Sequence, residues 1–375
     1  MKWDICKGAA RYVEFDGDGA NLLVAPADHP IDEVMLYALA IIVVAIIVVL
    51  VLISIVAWIC YVPLVTEVFV KTPFLMADSG RPLTGGEGCQ FTTSDGLVLR
   101  GTYLKTAADE RLGVIAFCHE LTGDRWGAAP YIEKLRSDGF DVFTFDFRNH
   151  GASDSTPGYE PMPWITWYEL ADVLAAIDYL CDREDADPRG IGLIGVSKGA
   201  TAALCGAAVD SRVAAVVTDG AFPIDGMQYH YMRRYATLTK ISWIVERLPD
   251  IFLVSFSKWC KLLVGRRRHC RFLNVEQMAA HVHQPVFMIL GKNDNYVPAE
   301  VTHKLRLAID GRTKFWHVPG AKHNSSVHTA GEKYAFRVSR FFRRYVGGIH
   351  RTPATVSSTL HEDSVATDKV EAPAE

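Results

Sequence analysis

The polarity of the chain changes character several times along its length. Residues 1–33 are polar and acidic, with Gly and Asp frequent, and predict an exposed N-terminal segment. From Val34 to Val62 no side chain is charged, a run of 29 residues. A helix needs roughly 20 apolar residues to cross a bilayer core. The run lacks the polar stripe of a helix lying on a soluble domain. Tyr37, Trp58 and Tyr61 stand near its ends, where amphipathic rings favour the membrane interface. It begins too far from Met1, and without a preceding basic region, for a cleaved signal peptide. The pattern predicts one transmembrane helix over 34–62. Residues 63–88, interrupted by Pro63, Pro73, Pro82 and several glycines, predict an irregular linker.

From residue 89 the pattern becomes one of short apolar runs alternating with helical periods. Residues 90–93 and 98–103 flank Ser94-Asp95-Gly96 and predict an antiparallel hairpin. The runs 113–118, 141–146, 190–196, 213–218, 285–290 and 314–318 follow. Several are continuously apolar, as strands covered on both faces are. Helical periods fall at about 125–138, 165–182, 198–209, 299–310 and 329–346. This alternation predicts an α/β fold over 89–348: an eight-stranded, mostly parallel sheet with helices on both faces. Residues 223–284 interrupt it with ten basic and four acidic side chains and the apolar stretches 241–245 and 251–256. They predict a helical lid or cap. Residues 349–375, rich in Pro, Thr, Ser, Ala and acids, predict a disordered tail.

Charge changes the picture in two places. The net charge is −4, too weakly distributed for nucleic-acid binding. Close to the apolar run, the N-terminal side carries only acids and the C-terminal side carries Lys71 and Arg81. The positive-inside rule then puts the large domain in the cytoplasm. The eight cysteines form no C-x-x-C pair, which agrees with a reducing compartment.

The chemistry centres on Gly195-Val-Ser197-Lys-Gly199, between a predicted strand and a predicted helix. That context makes a G-x-S-x-G match a nucleophile elbow, a sharp turn that lifts the serine hydroxyl above the sheet. A serine needs a histidine to take its proton and a carboxylate to hold that histidine in one tautomer. The chain order on this fold is Ser, acid, His. Asp294 follows strand 285–290 and His323 follows strand 314–318, so the candidate triad is Ser197, Asp294 and His323. Asp219, at the end of strand 213–218, is the competing acid. His317 reads as structural. His119 and His150 read as neighbours of the site. The oxyanion of an acyl-transfer intermediate needs two N–H donors, assigned to Leu121 and Lys198. No metal-ligand cluster and no cofactor motif is present.

These residues resemble an α/β-hydrolase fold serine hydrolase, of the group holding monoacylglycerol-lipase-like and dipeptidyl-peptidase-like esterases. The resemblance rests on His119-Glu-Leu-Thr-Gly123, on Asp146-Phe-Arg-Asn-His-Gly-Ala-Ser153, on the elbow, on Gly291 to Pro298 and on Gly320-Ala-Lys-His323. Together with the apolar run of 34–62, it implies a membrane-anchored enzyme that cleaves carboxylic esters of small molecules or lipids through an acyl-enzyme. An acyl-peptide hydrolase, a thioesterase and a catalytically weak scaffold are the alternatives. Two positions depart from the pattern. Glu120 stands where the group has glycine and must point away, pair with Arg125 or Arg148, or signal lost or altered activity. Asn149 replaces another glycine and is the next residue best able to take a positive φ. The resemblance also makes 223–284 the lid. Its basic, apolar make-up fits either a surface facing an anionic bilayer or a cap with solvated basic edges.

Overall fold

The computed structural model describes residues 30–70, 83–237, 243, 247 and 249–348. The expected tail, most of the N-terminal segment, part of the linker and nearly all of the apolar stretch 241–245 lie outside these. The chain divides into two units, Met1–Glu67 and Val68–Glu375.

Helix α1 (Pro30–Val70) is longer than the 34–62 run that predicts it. It continues through Pro63 into what reads as linker. At 1.5 Å per residue its 41 residues span about 60 Å. Within it, Glu33–Val56 has a mean hydropathy of 3.7 and is long and apolar enough to cross a membrane.

The second unit is built on one sheet. Its strands are β1 (Glu87–Thr92), β2 (Val98–Leu104), β3 (Gly113–Cys118), β4 (Phe140–Phe145), β5 (Ile191–Val196), β6 (Val213–Asp219), β7 (Val286–Gly291) and β8 (Thr313–Val318). Their spatial order is β1-β2-β4-β3-β5-β6-β7-β8. Only β2 runs against the rest, antiparallel to β1 and to β4. The expected α/β-hydrolase sheet is therefore present.

The helices are α2 (Ala129–Ser137), α3 (Trp167–Cys181), α4 (Lys198–Val209), α5 (Ile224–Ala236), α6 (Asp250–Arg267), α7 (Val275–Ala279), α8 (Ala299–Ala308), α9 (Ser326–Ala330) and α10 (Glu332–Tyr345). Side-chain alternation along the strands sorts the core into two layers. On β3, Val114, Ala116 and Cys118 join the layer holding Leu170, Val173 and Leu204 of α3 and α4. Ile115 and Phe117 join the layer holding Ile132, Val338 and Phe342 of α2 and α10. Burial on both faces is why these strands read as unbroken apolar runs.

Two helical expectations needed correction. The first turn of the 125–138 period is a 3₁₀ turn, Arg125–Ala128, capped by Asp124, whose carboxylate accepts the Trp126 N–H at 2.8 Å. The 329–346 period is two helices. Gly331 takes φ 48° between them, a left-handed conformation that glycine adopts without steric cost.

The segment 223–284 holds α5, α6 and α7 between β6 and β7. Ile224, Met227, Leu253, Cys260 and Val264 are buried, so one face of it packs on the core as a cap.

Candidate active site

The site is assembled where β5 turns into α4. Ser197 has φ 52° and ψ −117°, an uncommon conformation for a residue with a Cβ. Its N–H donates to the Asp219 carbonyl at 2.7 Å, which ties the turn to β6. Two glycines make the turn possible. A Cβ on Gly195 would lie 2.3 Å from the Gly199 carbonyl, and one on Gly199 would lie 2.2 Å from the Cys118 carbonyl. The missing side chains let α4 begin directly against the loop that leaves β3.

Ser197 Oγ lies 2.9 Å from His323 Nε2, and His323 Nδ1 lies 2.8 Å from Asp294 Oδ2. With Nδ1 donating to the carboxylate, Nε2 is left as the acceptor for the serine proton. Asp294 is itself fixed, because its Oδ1 accepts the N–H groups of Tyr296 and Val297, each at 2.8 Å. The two loops meet closely. A Cβ on Gly291 would lie 2.5 Å from the Ala321 carbonyl. The His323 ring rests against Gly220 on one side and Tyr296 on another, 4.8 Å between ring centroids. Asp219, the competing acid, faces elsewhere and accepts the Ser326 hydroxyl at 2.9 Å. Burial pushes its carboxyl up to about 6.

Leu121 lies in the loop after β3, and among the described residues its N–H donates to no backbone carbonyl. The Lys198 N–H is in the first turn of α4, where helix amides have no intrahelical partner. The Lys198 side chain, ambiguous in the sequence, turns into the protein. Its Nζ lies 2.7 Å from Glu169 Oε1, with both side chains almost fully buried. Glu169 also accepts the Thr166 N–H and hydroxyl and the Tyr159 hydroxyl. Burial pushes the Glu169 carboxyl up, but Lys198 and these donors together hold it below its ordinary value.

The two cations that were candidates for Glu120 are paired with other carboxylates, Arg125 with Asp146, and Arg148 with Asp172 and Asp95. Glu120 packs against Gly123. Asn149 takes φ 61°, as a residue replacing glycine there must. The structural part of Asp146 was not apparent from sequence. Its carboxylate accepts the N–H groups of Arg125 (2.7 Å) and Ala152 (2.8 Å), and a Cβ on Gly151 would lie 2.2 Å from it. The Asp-x-Arg-x-His-Gly spacing is a carboxylate wrapped by its own turn.

His150 bridges that turn to the loop after β3, with ring nitrogens 2.8 Å from the Arg148 carbonyl and 2.7 Å from the Leu121 carbonyl. His119 is buried. Its Nε2 accepts the Phe147 N–H at 3.1 Å and its Nδ1 donates to the Glu120 carbonyl at 2.7 Å. Burial, with His150 close by, holds its pKa well below the ordinary 6.5. The unfolded chain therefore takes up a proton below pH 6.5 that the folded chain refuses. The stability this supplies is full above pH 6.5 and is lost on acidification. The stability advantage of wild type over His119→Gln is expected to fall below pH 6.5, approaching about 1.4 kcal/mol per pH unit. Urea unfolding of both proteins from pH 7.5 to 5.5 measures it, and parallel curves would refute a buried neutral imidazole.

Comparison with known proteins agrees with this architecture. A family model described as the alpha/beta hydrolase family matches residues 115–337, more than half of the chain. An uncharacterized protein of Mycobacterium tuberculosis is 27% identical over 259 residues, 69% of this chain and 80% of that one. The thiohydrolase aneE of Aspergillus aculeatus is 32% identical over 130 residues, 34% of this chain and 39% of that one. Among solved structures, Pyrococcus furiosus esterase Pf2001 superposes with a TM-score of 0.54 at 23% identity, covering 74% of this chain and 98% of its own. The alpha/beta hydrolase GrgF from Penicillium sp. sh18 gives 0.54 at 18% identity, covering 70% and 99%. At these identities the solved structures speak for the fold alone. With the strand order, the elbow and the matched span in agreement, the chain belongs to the alpha/beta hydrolase family.

Proposed function

We propose that this protein is a serine hydrolase that cleaves carboxylic esters through an acyl-enzyme. The observation that carries the reading is the hydrogen-bonded chain from Ser197 Oγ through His323 to Asp294, at 2.9 and 2.8 Å. Ser197 attacks the ester carbonyl while His323 Nε2 takes its proton. Asp294 keeps the ring in the Nδ1–H tautomer and stabilises the imidazolium. The N–H groups of Leu121 and Lys198 receive the oxyanion, helped by the positive end of the α4 dipole. His323 then returns the proton to the leaving alcohol, and water releases the acyl group by the same steps.

The chain is further read as membrane-anchored through Glu33–Val56, with the hydrolase domain of residues 89–348 on the cytoplasmic side. The length and hydropathy of that span support this, as does Lys71 and Arg81 following it. Its substrates are then small or lipid esters near the bilayer, in the manner of the monoacylglycerol-lipase-like group. Thioester cleavage is a second reading, favoured by the partial likeness to a thiohydrolase. The same acyl-enzyme serves both leaving groups.

A fluorophosphonate probe tests the proposal. Wild type is expected to label at Ser197, and Ser197→Ala is expected not to label. An unreactive wild type would leave a tethered scaffold as the better description. Paired series of p-nitrophenyl esters and acyl thioesters of rising chain length then separate the two substrate classes.

A further inference from the structure

A crevice of about 730 Å³ opens beside the cap, and Ser197, Asp294 and His323 do not line it. Its walls come from α6, from the turn 268–274 and from the first residues of α3. On α6 the residues at the crevice are 258, 261, 262, 265 and 266, the spacing of one helical face. Leu253, Ser257, Cys260 and Val264 form a different face, which is buried. The crevice face is thus additional to the one that holds the cap down.

The lining has a definite chemistry. It carries four cations, Lys258, Lys261, Arg266 and Arg271, and no carboxylate. Lys261 is paired with Asp225. Among the described residues no ion pair is found for Lys258, Arg266 or Arg271. Between the cations the surface is apolar, with Trp167 50% and Leu262 45% exposed, and Phe272 beside them. Arg271 lies over the Trp167 ring at 5.8 Å. Unpartnered cations next to exposed apolar walls complement a molecule with a charged head and a hydrocarbon tail.

The crevice is also held open by its own backbone. Thr166 and Phe272 form an antiparallel bridge. The Trp167 N–H donates to the Arg271 carbonyl at 3.0 Å, and the Tyr168 hydroxyl donates to the His269 carbonyl at 2.8 Å. Gly265 lets the turn close on α6, since a Cβ there would lie 2.7 Å from the Cys270 carbonyl.

We infer that this crevice is a binding site for a single-chain amphiphile with an anionic head, separate from the Ser197 site. Arg266, Arg271 and Lys258 receive the phosphate or carboxylate head, and Trp167, Leu262 and Phe272 receive the chain. The inference does not depend on the hydrolase reading, because binding is measured without turnover.

The probe is octyl phosphate, with inorganic phosphate and octanol as its two halves. The full chain is held in phosphatidylcholine nanodiscs, and hydrogen exchange is followed across residues 258–274 and 166–170. Octyl phosphate is expected to protect both segments, at concentrations at least about tenfold below either half alone. Arg266→Glu/Arg271→Glu is expected to weaken this at least about tenfold. Arg343→Glu/Arg344→Glu, exposed residues of α10 outside the crevice, is expected to leave it unchanged. Should Arg266→Glu/Arg271→Glu fail to fold, Leu262→Asp carries the same expectation. Inorganic phosphate or octanol acting as well as octyl phosphate would overturn the proposal. So would protection absent from both segments, or equal loss in the α10 variant.

Discussion

Replacing His323 with alanine is expected to lower kcat for a p-nitrophenyl ester by a factor on the order of 10⁴–10⁶. The ring supplies an acceptor for the Ser197 hydroxyl proton, 2.9 Å away. Without it the serine proton has no base, and a neutral hydroxyl is a poor nucleophile. Asp294→Asn is expected to cost about 10⁴-fold, because an amide there favours the wrong tautomer while leaving the ring in place. The losses should not multiply. Ser197→Ala/His323→Ala is expected to match the single variants, since a unit once broken has little left to lose. Steady-state kinetics on Ser197→Ala, His323→Ala, Asp294→Asn and the double variant, with unfolding midpoints to confirm folding, measure this. A loss below about tenfold in His323→Ala would exclude His323 as the base.

Arg148→Met is expected to cost about 3–5 kcal/mol of stability at pH 7.5. Arg148 is fully buried. Its Nε donates to Asp172 Oδ1 at 2.8 Å and its backbone N–H donates to Asp172 Oδ2 at 2.9 Å. Its Nη1 donates to Asp95 Oδ2 at 2.8 Å, and its guanidinium lies 4.6 Å from the Tyr168 ring centroid. Removing the cation leaves Asp172 buried without a counter-charge. Burial already holds the Asp172 carboxyl at about 6 with Arg148 present, and without Arg148 it must rise further. An acid raised on folding costs stability as pH climbs through its folded pKa. The deficit of the variant should therefore grow from pH 6 towards pH 8 and shrink on acidification. Asp95 titrates near 2 because of its bonds to Arg148, but it is half exposed and contributes less. Arg148→Met/Asp172→Leu is expected to recover much of the loss, as apolar replacement of a whole buried pair does. Urea unfolding at pH 6, 7 and 8 measures all three proteins. A deficit that does not change with pH would mean that Asp172 is not the group left stranded.

The sheet was legible because strands covered on both faces leave an unbroken apolar signature, and β3 and β5 are buried throughout. The candidate triad was legible because loops at one edge of a parallel sheet converge. Three residues spread over 127 positions could be placed by topology alone. What escaped depends on contacts between distant segments. Nothing near Lys198 in sequence points to Glu169, which lies on a helix that precedes it by a strand. Arg148 was considered for Glu120, yet the nearest carboxylates in space belong to Asp172 and Asp95. The break at Gly331 was hidden because apolar periodicity resumes on both sides of it. The cap was recognised as an interruption. Which of its faces packs and which stays open became clear only when α6 was set against the core.

Under the proposed mechanism Lys198 carries two duties in one residue: its N–H meets the oxyanion, and its ammonium is locked into the Glu169 carboxylate below. Exchange of the lysine for an uncharged residue leaves Glu169 sealed in with no cation, and exchange of the glutamate leaves a stranded ammonium. Positions 169 and 198 are therefore coupled: an apolar pair of matching volume is the exchange this elbow tolerates best, and either single change the one it tolerates least.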